Sequence, residues 1–354
     1  MHRAEHTLMS DDRGERIALA SGPTTPGHAT TLALEAHPTT VSAALALGSR
    51  IAALRTSALD QWEALATLAS RDLGIARAIE PAIDAGNIFV EAALQSEYEG
   101  PVPALSSWGV FAAEGGNDPL VATPAGAGWS LTGTKPWCSL AGQLDFALVT
   151  ATTADGGRML FSVNLRAAGI TTDSASWQAR GLVEIPSGPV TFAATPAEPV
   201  GAPGWYLSRP GFAVGGIGVA ACWFGGAVGI ARTVRTALAA RTASDIQLMH
   251  LGAIDELVHT CRAVLADAAT VVDSGSPTRG ELSILAKRAR ATVARAAEEI
   301  IVRAGHALGP APLALDAEHA KRVADLTLYV RQHHAEKDQA SLGTAVLALE
   351  VSPW

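Results

Sequence analysis

Cysteine is scarce. Cys138, Cys222 and Cys261 are the three in 354 residues, far apart and without C-x-x-C spacing. That argues against a disulfide frame or a cysteine-ligated zinc site and fits a reducing cytoplasm. Basic clusters are also lacking. With a net charge of −8, the chain offers no positive surface to grip a nucleic-acid backbone. There is no H-E-x-x-H spacing and no internal repeat. The first residues carry His2, Arg3, Glu5, Asp11, Asp12 and Arg13, where a signal peptide needs an apolar core. One uncharged run, Gly211 to Ile230, is 20 residues long, which meets the length of a membrane span. Seven of those residues are Gly, so it reads instead as a buried helix whose small residues let neighbours approach. What is present is apolar mass: 48% of the residues are hydrophobic, enough for one large domain or two to three small ones.

Character changes along the chain divide it into four stretches. Residues 1–40 show no sustained period, with Ser21-Gly22-Pro23 and His37-Pro38 among them, and are expected to be weakly ordered. Residues 41–107 turn helical: Ile51, Leu54, Ala58, Trp62, Leu65 and Leu68 recur at three- and four-residue steps, with a break at Ser70 to Gly74. Residues 108–210 lose that period and gain Gly, Pro, Thr and Val, as a small antiparallel β domain would. Strands are expected at 108–112, 129–134, 144–151, 159–164 and 188–194. Residues 211–354 are helical again, near 212–241, 245–273, 278–307, 316–335 and 336–350. The order is therefore helices, a β domain, then a helical bundle: an α+β chain.

Leu131-Thr132-Gly133-Thr134-Lys135-Pro136-Trp137-Cys138-Ser139-Leu140-Ala141-Gly142-Gln143-Leu144-Asp145 reads as part of a β-hairpin with a following segment. It resembles the flavin-contacting pattern L-x-G-x-K-x-W-I-T-N-A-G-x-A-D of the acyl-CoA dehydrogenase family. An ordinary hairpin with a buried Trp is the other reading of the same residues. The order of helices, β domain and bundle is the architecture of that superfamily, and the resemblance extends through most of 41–350. It implies that Trp137 packs on the flavin and that the hydroxyl of Ser139 faces its reacting edge. Trp108 to Asp118 lies where the family has F-A-x-T-E-P-x-A-G-S-D. Glu114 and Asp118 match, Ala113 replaces the Thr, and Asn117 stands in for the Ser, which puts Ala113 and Asn117 at the flavin. Gly225 to Ala231 resembles a run on the first bundle helix that serves helix crossing.

The departures bear on chemistry. The family's R-x-x-F-G-x-P-I segment is replaced by Ala240 to Gln247, where Arg241 is the substitute cation for a pyrophosphate. His306 to Pro312 is a degraded Q-x-F-G-G-x-G, placing His306 at the cofactor. In the same register Asp325 and Tyr329 fall on the family's Asp-x-x-x-Tyr, and the catalytic Glu becomes His333. The other position for that Glu falls near Val219. Imidazole can act as a base at neutral pH, so His333 is the candidate catalytic residue. On a helix it would share a face with Glu336, as His334 would with Asp338; a charged surface is the alternative. Adjacent His333 and His334 cannot both face one metal ion from a helix.

The resemblance implies a cytoplasmic flavin-dependent oxidoreductase, holding FAD or, with such eroded motifs, FMN. It would take an acyl thioester or other small molecule, with an electron acceptor or a flavin reductase as partner, in a homodimer or homotetramer. Two alternatives stay open: a monooxygenase of this fold that borrows reduced flavin, and a degenerate, flavin-free scaffold.

Overall fold

Thr40, Ser57 and Asp72 each stand just ahead of an apolar-periodic run, and each caps a helix. Their side chains accept from Ala43 N, Asp60 N and Ile75 N at the starts of α2 (Val41–Leu54), α3 (Ala58–Arg71) and α4 (Leu73–Leu94). The computed structural model describes residues 16–20, 25–115, 118–126, 128–275 and 277–354. Besides the anticipated break before α4 there is a second one, where Arg55 turns left-handed at φ 50°.

The expectation of weak order over 1–40 needs correcting where residues are described. His28–Glu35 forms α1, packed on α3. Its first turn has no side-chain cap of its own. Instead the Asp60 carboxylate of α3 accepts from Ala29 N and Thr30 N, both at 2.9 Å, and from Thr30 Oγ1 at 2.7 Å. A carboxylate there offsets the positive end of the helix. Glu63 and Thr67 similarly accept from Leu19 N and Ile17 N, and both apolar side chains are buried. The partners come from a distant helix, so no local pattern marks the segment.

Among the described residues the β region has seven strands: β1 (Trp108–Phe111), β2 (Val121–Ala125), β3 (Gly128–Lys135), β4 (Phe146–Thr153), β5 (Arg158–Asn164), β6 (Ile170–Thr172) and β7 (Val190–Val200). Strands β4, β2, β3, β7 and β5 pair in that order, and β5 pairs back onto β4. The ring is thus a closed five-stranded barrel, which removes most free edges. β1 runs parallel to the first half of β4, and β6 lies beside the first residues of β7. Ala122, Leu131, Val149 and Phe161 are fully buried in this region. β2 and β6 were not anticipated: one contains Pro124 and the other has three residues, too short for a period to register.

After the short α5 (Trp205–Ser208) the chain forms α6 (Gly211–Ala239), α7 (Asp245–Asp273), α8 (Arg279–Leu308), α9 (Ala311–Leu315), α10 (Ala317–Tyr329), a 3₁₀ turn (Val330–Gln332) and α11 (Ala335–Leu347). Reciprocal capping boxes, Ser244 with Gln247 and Thr278 with Glu281, start α7 and α8. The uncharged run is α6, long and apolar enough to cross a membrane, yet packed between α3 and α8 with Trp223 and Phe224 buried. Its glycines explain how. A Cβ at Gly225 would fall inside contact distance of the Ala66 carbonyl and the Ala69 methyl on α3. Gly225→Ala should therefore destabilise the fold by about 2 kcal/mol despite its better helix propensity, read as a lower urea midpoint.

A charged knot joins the β region to the bundle. Lys321 Nζ lies 3.1 Å from Asp72, 2.7 Å from Glu184 and 2.6 Å from Asp325. Three carboxylates this close resemble a metal cage, but the ammonium sits among them and answers their charge. Asp325, 1% exposed, also accepts from Leu182 N at 2.6 Å.

Candidate functional site

Lys135 ends β3 with its ammonium buried, donating to Glu114 Oε1 and Thr150 Oγ1, both at 2.8 Å. Burial lowers its pKa, and Glu114 raises it. Beyond this pin the backbone makes two left-handed steps, Trp137 and Leu140, each at φ 59°. Cys138 N and Leu140 N donate to Gly188 O and Pro186 O, fixing the turn. The turn sends the Trp137 indole outward, 64% exposed, and the Ser139 hydroxyl inward, 8% exposed. The hairpin-with-buried-Trp reading is thereby corrected: the indole is presented to solvent. Cys138 points into the core, and burial pushes its thiol to about 12, so it is no nucleophile.

Ser139 meets α4. Its Oγ accepts from Arg77 Nη2 at 3.0 Å and shares a 2.7 Å hydrogen bond with Ser187 Oγ. The Arg77 guanidinium lies 5.6 Å from the Tyr329 ring centre. Tyr329 packs edge-on to Trp223 at 6.2 Å, and Trp223 lies 6.3 Å from the His333 ring. Arg290 covers Trp223 at 4.8 Å and donates to Gly216 O at 2.7 Å and Gln332 O at 3.2 Å. Arg290 therefore turns inward from α8.

Ser139 and His333 thus stand at the two ends of one packed line, supplied by the β region, α4, α6 and α10. Three buried polar atoms on it, Trp223 Nε1, Tyr329 Oη and His333 Nδ1, have no hydrogen-bond partner among the described residues. Two of them have a polar side chain alongside: Cys222 beside the Tyr329 hydroxyl and Asp338 beside His333 Nδ1.

The helical placement of His333 needs correction. It lies between the 3₁₀ turn and α11, with an extended backbone, so it does not share a helical face with Glu336. Its partner is Asp338, whose Oδ2 is 3.1 Å from Nδ1 but off the direction of a proper hydrogen bond. The other oxygen lies 3.9 Å from His334 Nδ1. Burial lowers the His333 pKa, while Asp338 pulls it up. The imidazole is neutral at pH 7 and can take up a proton.

The sequence reading did not anticipate the charged face of α4. Arg77, Glu80, Asp84 and Glu91 share one face of an otherwise apolar helix. Glu80 Oε2 is 3.4 Å from Arg77 Nη1, and Arg209 bridges Asp84 at 3.6 Å and Glu91 at 2.8 Å. Burial raises the Glu80 pKa to about 7, with Arg77 opposing and Asp84 adding to the rise. A cavity of about 20 Å³ lies against Glu80 and Asp84, lined also by Gln61, Asn87, Gly215 and Gly218. It has room for roughly one water. Polar residues at helical spacing inside an apolar run were the available signal.

The other anticipated residues are dispersed. Ala113 is exposed after β1, and its neighbour Glu114 makes the contacts; Asn117 lies outside the described residues. Arg241 is exposed between α6 and α7. His306, exposed in the last turn of α8, lies 5.5 Å from the His250 ring. Gln247 Nε2 donates to Ala307 O at 2.9 Å, so these positions mark one end of the bundle. No described contact ties Arg241 or His306 to Ser139 or His333.

No family model matches the sequence, and no curated protein does. Solved structures do match. KijD3 in complex with FMN and a dTDP-amino-keto sugar is 19% identical over 92% of this chain and 87% of that one, with a TM-score of 0.74. Dibenzothiophene monooxygenase (TdsC) from Paenibacillus sp. A11-2 is 17% identical over 89% and 95%, TM-score 0.73. The electron transferring flavoprotein structure from Acidaminococcus fermentans is 15% identical over 91% and 96%, TM-score 0.77. At these identities the likeness is one of fold: the chain has the α+β, acyl-CoA dehydrogenase-like arrangement.

Proposed function

We propose that the protein is a flavin-dependent oxidoreductase of the oxygenase type, acting on a small molecule with reduced flavin supplied by a separate reductase. The observation that carries this reading is the packed line from Ser139 through Arg77, Tyr329 and Trp223 to His333. It offers a hydroxyl, a guanidinium and an imidazole, with orphaned polar atoms between them.

These residues fit a flavin. Trp137 presents an exposed indole beside the Ser139 hydroxyl, a flat apolar face next to a hydrogen-bonding group. Trp137, Ser139 and Arg77 would hold the ring system; a bound flavin supplies two-electron redox chemistry. Ser139 gives one hydrogen bond and is oriented by Arg77 and Ser187. His333, neutral and backed by Asp338, takes or returns a proton at an imidazole nitrogen. The His333 side chain is 7% exposed, with the Trp223 ring 6.3 Å away. Two similar structures, one a monooxygenase and one holding FMN, agree with this direction.

FMN is favoured over FAD because Arg241 and His306, the positions implied for the adenylate half, are not joined to the line within one chain. A homodimer or homotetramer, with a second copy bringing those positions near, would restore FAD. Dehydrogenation of an acyl thioester is the second reading, and Glu80 is a carboxylate on hand for it.

Equilibrium binding of FMN and FAD, followed by reductase-driven oxygen uptake against acyl-CoA bleaching of bound flavin, separates these readings. We expect FMN binding and no bleaching; bleaching by an acyl-CoA would replace the oxygenase with the dehydrogenase. Trp137→Ala should weaken FMN about three- to tenfold, the worth of one aromatic stack. With the indole 64% exposed, stability should stay within about 0.5 kcal/mol.

A further inference from the structure

Glu80 has no part in the oxygenase reading, yet it lies one contact from Ser139. Arg77 holds both: Nη2 donates to Ser139 Oγ at 3.0 Å and Nη1 lies 3.4 Å from Glu80 Oε2. The guanidinium is therefore divided between its own helix and the site.

A count of charges on this face shows a shortage of cations. Glu80, Asp84 and Glu91 line α4, and Asp338 stands behind His333. Against these four carboxylates stand Arg77, Arg209 and Arg290. Arg209 serves two of them, Asp84 and Glu91. Arg290 donates to two backbone carbonyls. Glu80 is left with Arg77 at 3.4 Å, with the weaker pull of Arg290, and with the small cavity beside it. A buried carboxylate so poorly answered holds a proton easily. The groups facing it are Arg77 and Asp84 on its own helix, Tyr206 on α5, Cys222 on α6, Arg290 on α8 and Tyr329 on α10.

We infer that Glu80 is a positioning residue that sets, by gaining or losing a proton, how much of the Arg77 charge reaches a ligand at Ser139. With Glu80 protonated, Arg77 is unneutralised and favours an anionic or electron-rich ligand edge there. With Glu80 ionised, the guanidinium is drawn to its own helix and that attraction weakens. The site then takes such ligands better below neutrality than above it. The ligand half of this inference rests on the flavin reading; the proton half does not.

The test uses the full chain. Without ligand, NMR follows the Glu80 side-chain carboxyl carbon and the Arg77 side-chain nitrogens from pH 5 to 9. The two should move together with a midpoint near neutrality. Glu80→Gln should abolish the Arg77 transition. Asp84→Asn should keep it with a lower midpoint, because one opposing charge is gone. A Glu80 midpoint in the ordinary carboxylate range overturns the inference, as does an Arg77 transition that survives in Glu80→Gln. FMN binding is then compared at pH 6 and pH 8. The loss of affinity on raising the pH should be about fivefold greater in the wild type than in Glu80→Gln, the scale of one partly screened charge pair. Taking the ratio between proteins cancels titration of the FMN phosphate. Equal losses overturn the coupling to the site. Failure to bind FMN at either pH sinks the flavin reading instead, and the ligand-free titration still decides whether Glu80 governs Arg77.

Discussion

Asp325→Ala should be among the most destabilising single changes in this chain, by about 2–4 kcal/mol. The carboxylate is 1% exposed and makes two short contacts, with Leu182 N and Lys321 Nζ, both at 2.6 Å. Truncation leaves the Leu182 amide buried without an acceptor and opens a void under it. Lys321 is not stranded, because Asp72 and Glu184 remain at 3.1 and 2.7 Å, so the loss stays below that of breaking an isolated buried pair. The segment carrying Leu182 has no slack to close the gap. A Cβ at Gly181 would already strike the Ala324 carbonyl and the Asp325 amide, so the segment rests directly on α10. Asp325→Asn keeps an acceptor for Leu182 but turns an amide toward the ammonium, and should cost about half as much. Urea midpoints measure both, and amide exchange at Leu182 should quicken sharply in the Ala variant. If exchange quickens only with global unfolding, the knot does not hold this segment separately.

The same knot shows what was legible in the sequence. Asp325 and Tyr329 fall on the Asp-x-x-x-Tyr spacing of the resembled family, and both are buried on α10. Nothing in that spacing names Leu182, Glu184 or Asp72 as partners, since they come from a loop and a helix cap far away. The pattern held where the signal is local. The Ser244 and Thr278 caps start α7 and α8, and short runs of apolar, β-prone residues mark β4 and β5. It failed where a neighbour supplies the stabilisation. α1 depends on Asp60 of α3, and β2 depends on its register with β3. The site divides the same way. Trp137 and Ser139 sit in a contiguous motif. Arg77 and Glu80 join them only because α4 passes beneath the turn after β3, and His333 was misplaced because a 3₁₀ turn interrupts the expected helix.

Glu80→Gln should make the protein more stable at pH 8 while leaving it nearly unchanged at pH 5. In the folded chain burial raises the Glu80 pKa from an ordinary 4.5 to about 7. Between those values the native state holds a proton that the unfolded chain has released. Stability from that proton is fully present below the unfolded pKa and is lost as pH rises through the folded one. At about 1.4 kcal/mol per pH unit across the window, the sum is roughly 3 kcal/mol, an upper figure. Gln carries the shape of the protonated acid and cannot ionise, so its stability should lack this slope. Burial raises Asp84 and Asp325 as well, so the wild-type curve contains their contributions too. The difference between the two proteins isolates Glu80, and it should widen by about 2–3 kcal/mol from pH 5 to pH 8. Denaturant titrations at four pH values would measure it. Parallel curves would mean that Glu80 keeps its charge throughout, with Arg77 answering it. A widening gap would mean that this chain tolerates a buried, titrating acid beside Arg77 at a cost in stability, a cost that α4 would not need to bear for packing alone.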